Sequence, residues 1–269
     1  GKPIELVSAD HQNKADIAAT REEMSRFYGD VSRVDRSVGQ ILHQLDADGL
    51  RDDTLLIFTT DHGIAMPLAK GTLYDPGLKI GAILRWPGRI DPGSRFSELT
   101  SNVDLLPTIL EAIGAGDDIP AGLDGISFWD ALTGGKELDR DAIFVEMTWH
   151  DFYEPMRAIR TAGHKLIRNF EVRDGLQVAA DIRLSPIIPH MRWELRGWKR
   201  PEFELYDLEA DPHERYNLAG DPSVADIESG LNLRLTEYLQ ATDDPILAGP
   251  IDISDAYHDF VVRAPAGLP

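Results

Sequence analysis

Ten consecutive residues constrain this chain more than any others: Thr54-Leu-Leu-Ile-Phe-Thr-Thr-Asp61-His62-Gly63. The run from Thr54 to Thr59 is apolar and β-branched with no polar alternation, which predicts a buried strand of the parallel type. Ligands collect outside the carboxyl ends of strands in open α/β sheets, so Asp-His-Gly at its far end marks where chemistry is expected. The Asp61 carboxylate and the His62 imidazole can both reach one cation from a strand end, and Gly63 lets the chain turn at once. After a short proline-broken segment comes Lys70-Gly-Thr-Leu-Tyr74-Asp-Pro-Gly77, whose Lys70 can return to the same place as a fixed positive charge for an anionic substrate. Taken alone, an Asp-His pair after a strand is more often a turn capped by the Asp than a metal site, and the rest of the chain has to decide.

Charge narrows the function classes. The chain has 46 Asp and Glu against 27 Lys and Arg, a formal net charge of −19. That excess argues against nucleic acid and against docking on an anionic membrane, both of which need a basic face. An anionic substrate would then require a concentrated cationic patch, for which Lys70 and Arg157 are the candidates. Cysteine is absent, which excludes disulfides and thiolate metal sites without fixing the compartment. No apolar run approaches the roughly 20 residues that span a bilayer. Gly1 to Glu5 show no signal-peptide core, but Gly1 need not be the natural start, so bacterial cytoplasm and periplasm both stay open.

At 269 residues the chain suffices for one large domain or two modest ones. Residues 13 to 48 predict one long helix, with Met24, Phe27, Val31, Val34, Val38, Ile41, Leu42 and Leu45 as an apolar stripe ended by Gly49. Lys79 to Trp86 predicts a second strand stopped by Pro87-Gly88. Asp104 to Gly114 predicts a helix turning Leu105, Leu106, Ile109, Leu110 and Ile113 to the core, and Ser127 to Leu132 a short one. Ala142 to Glu146 then reads as a strand, and Met156–Arg160 with His164–Arg168 as a hairpin whose alternation suggests one covered face. Residues 171 to 200 have no clear periodicity. Phe203 to Leu208 reads as a strand, Asp221 to Leu239 as a helix, and the tail from Asp243 as surface-wrapping. The expected division is an α/β domain over 1–145 and a C-terminal α+β subdomain over 146–269.

Four blocks in order carry a resemblance: Phe-Thr-Thr-Asp61-His62-Gly63 with Lys70 to Gly77; Ile83-Leu-Arg-Trp86-Pro87-Gly88; Asn102-Val-Asp104-Leu-Leu-Pro107; and Glu204-Leu-Tyr206-Asp207 through Asp211-Pro212 to Asn217-Leu218. Together they resemble the second half of a sulfatase of the alkaline-phosphatase superfamily. Within it the likeness is to the heparan N-sulfatase (sulfamidase) group, through Pro155-Met156-Arg157 and the stretch from Arg192-Trp193-Glu194-Leu195 to Tyr206. The resemblance implies an alkaline-phosphatase-like sheet flanked by helices, of which this chain carries the second half, plus a smaller antiparallel sheet subdomain with a helix. It implies hydrolysis of a sulfate ester or sulfamate on a sulfated amino sugar, with a divalent cation and a formylglycine nucleophile.

Residue by residue, the resemblance makes Asp61 a metal ligand and Lys70 a catalytic, sulfate-contacting cation. His150, Asp151 and Arg157 fall in the sugar-facing region. The family's usual neighbour of the metal Asp is Asn, which suits calcium; His62 departs from that and suits manganese or zinc. It also resembles the phosphonate monoester and phosphodiester hydrolases of the superfamily, which form the rival reading. The nucleophile motif, Cys/Ser-x-Pro-x-Arg, is missing: Ser185-Pro186-Ile-Ile-Pro189 lacks the Arg. The implied partners are therefore a sulfated sugar and an N-terminal half of the same protein, with a homodimer left open. This chain alone is expected to be inactive, and a non-catalytic sugar-binding remnant is the third reading.

Overall fold

The computed structural model describes residues 14–172, 178–190 and 199–252. Helix α1, Lys14–Ala47, matches the predicted long helix, but its apolar stripe is covered only in part. Met24 and Phe27 pack on Met66, Ala69 and Ile187, whereas Val31, Val34 and Ile41 stay exposed. Among the described residues no helix is long and apolar enough to cross a membrane.

Strand β1, Leu56–Thr59, departs from expectation. It pairs antiparallel with β2, Ala82–Arg85, in a two-stranded ribbon, Leu56 opposite Arg85 and Thr59 opposite Ala82. Neither strand is fully buried and Ile83 is 63% exposed. A run with both faces apolar predicts a parallel strand, yet no parallel neighbour lies among the described residues. Between the two strands the chain makes a compact loop and a single helical turn, α2, Asp75–Leu78, opened by Pro76.

Helix α3, Leu105–Ala112, also buries a different face from the predicted one. Pro107, Thr108 and Ala112 are inside, and Leu106 and Ile113 are exposed. What fixes its start is the fully buried Asp104. It accepts from the backbone N–H groups of Ser101 at 2.7 Å and Ile126 at 3.0 Å and is clamped by both terminal nitrogens of Arg140. A short helix α4, Trp129–Leu132, follows.

Strands β3, Ala142–Trp149, β4, Tyr153–Thr161, β5, His164–Asn169, and β6, Phe203–Asp207, form an antiparallel sheet in chain order. Strand β3 runs across the expected division at 145/146. The hairpin of β4 and β5 is as predicted, but both of its faces are covered, not one. Met156, Ala158 and Ile167 pack with Leu73 and Tyr206 on one side. Ile159, Leu166 and Leu205 meet Leu231, Leu235 and Leu239 of helix α5, Ala225–Ala241, on the other. The loop between β1 and β2 supplies the first cover, which is how a segment of the α/β part becomes seated on the C-terminal sheet.

That loop is closed by two glycines. The Gly63 N–H donates to the Gly77 carbonyl at 2.8 Å, and a Cβ on Gly63 would lie 1.9 Å from the Pro76 oxygen. A Cβ on Gly77 would lie 2.2 Å from the Ala69 oxygen. Because backbone, not a flexible side chain, fills both spaces, Gly77→Ala is expected to cost about 1–3 kcal/mol. A wild-type urea midpoint for that variant would contradict the close approach.

Candidate functional site

The loop that follows β1 is tied down by charge. Asp75 is buried, and its carboxylate meets the Arg160 guanidinium through two bonds of 3.1 Å, the Lys165 ammonium at 2.6 Å and that of Lys79 at 3.0 Å. Burial alone pushes this carboxyl up, but Arg160 and Lys165 outweigh it and hold it well below the ordinary carboxylate range. Lys165, with no exposure, also binds Glu214 at 2.6 Å and the Leu73 carbonyl at 3.1 Å, while Glu214 accepts from the Asp75 N–H at 2.5 Å.

A second anchor is Tyr74, whose hydroxyl donates to Glu204 at 2.7 Å; Tyr206 and Asn169 donate to the same carboxylate at 2.6 and 2.7 Å. Burial first, and then the Glu204 charge, push Tyr74 up; in Tyr206 burial again leads, with Tyr74 and Glu204 adding to it. Both phenols therefore stay protonated donors, and this cluster is structural. Arg160, Lys165, Glu204 and Glu214 lie 85 to 139 residues from the loop residues that they hold, so no short window of the sequence shows these pairings.

At the end of β1, Asp61 and His62 stand together. The Asp61 side chain is 86% exposed and that of His62 39% exposed, and His62 Nε2 lies 3.7 Å from Asp61 Oδ1. His62 Nδ1 lies 2.8 Å from the Gly63 carbonyl oxygen. A carbonyl can only accept, so the neutral ring carries its hydrogen on Nδ1 and keeps the Nε2 lone pair for a ligand role. Ligand atoms about 2.0–2.2 Å from a zinc-type ion can be separated by such a distance, although the same Asp61 Oδ1 also accepts from the His62 N–H at 2.9 Å, as in a capped turn. The imidazole favours a transition metal over calcium. No group of three or more His, Cys, Asp or Glu that could hold a metal occurs among the described residues, so the pair is at most part of a ligand set.

Lys70 lies in the same loop, its N–H bonded to the Ile64 carbonyl at 3.2 Å. Its ammonium meets Asp181 Oδ2 at 2.6 Å. Next to Asp181, the Ala180 N–H donates to Asp151 Oδ2 at 2.5 Å, and that oxygen is 3.1 Å from His150 Nδ1. The segment 178–182 thus bonds to Lys70 through Asp181 and to Asp151 through Ala180, and Gly71, His150, Asp151, Glu154 and Ala179 line a small cleft beside it. Asp181 is the residue that sequence reasoning missed, since it sits in the stretch without periodicity.

Arg157 is not with them. It lies on the α5 side of β4, the side of Ile159, and is 2% exposed. Its Nε and Nη2 bind Asp244 at 2.6 and 3.0 Å, and Nη1 binds the carbonyls of Met147 and Met156. Expected to face a sugar, it is held here in a buried internal ion pair with Asp244. Strand alternation explains it: Met156 and Ala158 face the loop, so Arg157 must face away. The stretch Arg192 to Leu195 lies outside the described residues.

Two family profiles match this chain: "Sulfatase" over residues 6–115 and "N-sulphoglucosamine sulphohydrolase, C-terminal" over residues 64–186. An ulvan-active sulfatase of Formosa agariphila is 31% identical over 83% of this chain and 39% of its own length. A solved structure described as being in complex with its substrate D-glucosamine-2-N,6-O-disulfate superposes with a TM-score of 0.68 at 26% identity, covering 88% of this chain and 44% of that one. The phosphonate monoester hydrolase of Agrobacterium radiobacter gives 0.59 at 27% identity, over 80% and 40%. The chain spans between 39% and 50% of the length of the first three curated relatives. Four motif blocks in order, the two profiles and the shared fold converge: the chain belongs to the sulfatase family of the alkaline-phosphatase superfamily.

Proposed function

We propose that this chain is the C-terminal part of a metal-dependent hydrolase that cleaves a sulfate ester or sulfamate from a sulfated amino sugar. The observation that carries the reading is the convergence of Lys70 with His150 and Asp151, 80 and 81 positions further along the sequence, through the 178–182 segment. Asp61 and His62 Nε2 would hold a cation that neutralises sulfate charge. The Lys70 ammonium would offset the charge that develops on the group being transferred. His150 and Asp151 supply a hydrogen-bonding pair for a sugar hydroxyl or amine. The nucleophile, a formylglycine, belongs to an N-terminal half that this chain does not contain.

The test is release of inorganic sulfate from glucosamine N-sulfate and glucosamine 6-sulfate, with calcium, manganese and zinc supplied in turn. The 269-residue chain by itself is expected to show no turnover, and the same chain joined to a formylglycine-bearing N-terminal half is expected to show it. Turnover by the isolated chain would sink the two-half reading. His62 favours a second reading, a phosphonate monoester hydrolase, because imidazole selects a transition metal. Faster hydrolysis of an aryl phosphonate monoester than of any sulfate by the joined protein would select that instead.

A further inference from the structure

Lys70 does not present a free ammonium to its substrate, because Asp181, 111 residues away, already binds it at 2.6 Å. The pair is placed by the fold. Val178, Ala179 and Ile182 are buried around Asp181, and the Ile182 N–H closes a turn onto the Ala179 carbonyl at 2.9 Å. On the other side, the Lys70 side chain is only 17% exposed, whereas that of Asp181 is 53% exposed. The lysine is therefore confined and the carboxylate is the partner able to swing away. Lys70 in turn holds the Asp181 carboxyl below its ordinary range, which keeps it an anion at neutral pH.

We propose that Asp181 is a specificity-determining residue, a resident anion on Lys70 that screens incoming ligands by what accompanies their sulfate. The proposal rests on the reading of Lys70 as the sulfate-contacting cation. A bare sulfate must displace or share Lys70 with a like charge and gains nothing from the displaced carboxylate. A sulfated sugar carries hydroxyl or amine donors beside the sulfate, and the freed Asp181 accepts from one of them. Asp181 thus favours sugar-borne sulfate over the inorganic sulfate that hydrolysis would release, and helps the site to clear its product. No bond is made or broken in this step; only hydrogen-bond partners change.

The experiment is titration calorimetry of the chain joined to its N-terminal half, with the nucleophile replaced so that nothing turns over, against inorganic sulfate and against glucosamine 6-sulfate. In Asp181→Asn, sulfate is expected to bind about tenfold more tightly, the gain from removing one contacting like charge. Glucosamine 6-sulfate should gain far less, so the preference for sugar over sulfate falls by nearly the same factor. Asp181→Ala, which also removes the acceptor, should match Asp181→Asn on sulfate and bind the sugar less tightly than Asp181→Asn does. An unchanged preference in both variants overturns the inference. Lys70→Met separates the two readings: if it weakens sulfate binding while the Asp181 variants keep the wild-type preference, only the screening role fails. If it leaves sulfate binding untouched, or if wild type and variants bind no sulfate, the reading of Lys70 fails and the screening role with it.

Discussion

Replacing Lys165 with alanine is expected to lower the unfolding free energy by about 3–5 kcal/mol, a large share of the roughly 5–15 kcal/mol that holds a domain together. The ammonium has no exposure and lies 2.6 Å from both Asp75 Oδ1 and Glu214 Oε1. Its loss leaves two carboxylates in the interior with one fewer cation between them. Arg160 and Lys79 still face Asp75, but Lys165 is the cation that binds Glu214. The double variant Lys165→Met with Glu214→Gln removes charge on both sides and should recover part of the loss, since the penalty comes from the stranded partner. Urea unfolding of the single and double variants measures this, and equal midpoints for wild type and Lys165→Ala would contradict it. Acid should do similar damage. The folded value of Asp75 lies below its unfolded value of about 3.8. Its stabilisation is therefore complete above that pH and is lost as the pH falls through the folded value. Glu214 shifts upward because burial there outweighs Lys165, so its protonation in acid works the other way and softens the loss.

Local pattern was readable in the sequence and pairing across distance was not. The Lys14–Ala47 helix, the β4–β5 hairpin and the Ala225–Ala241 helix follow from periods of 3.6 and 2.0 that any short window displays. The neighbour of β1 is a long-range matter, and an apolar run shows only that two faces want cover, not what lies alongside. Arg157 makes the same point at the site. The resemblance puts it with His150 and Asp151 in a sugar-facing region, yet strand alternation turns it to the opposite face, onto Asp244. That signal was present in Met156-Arg157-Ala158-Ile159, where the faces of the strand can be counted. Asp181 had no such signal. It lies in a segment held by Val178, Ala179 and Ile182 without a regular element, and only the fold brings it to Lys70.

Lys70 itself separates function from stability, and the second large effect is expected there. In the protein joined to its N-terminal half, Lys70→Ala should reduce kcat for sugar sulfate hydrolysis by about 10²–10³-fold, the range found when one preorganised charge-stabilising group is removed. Stability should hardly move. The Lys70–Asp181 pair is half open to solvent on the carboxylate side, and such pairs contribute about 0–1 kcal/mol. Lys165→Ala predicts the reverse pattern, a lower unfolding midpoint with normal turnover per folded molecule, because the Lys165 ammonium is bound by Asp75, Glu214 and the Leu73 carbonyl. Lys70→Arg sharpens the point. A guanidinium keeps the charge but spreads it over a plane that can hold a sulfate bidentately, so it should restore sulfate affinity more fully than kcat. Steady-state kinetics beside thermal unfolding of the same three variants decides it. If Lys70→Ala loses stability in proportion to activity, the residue is part of the scaffold and not of the chemistry.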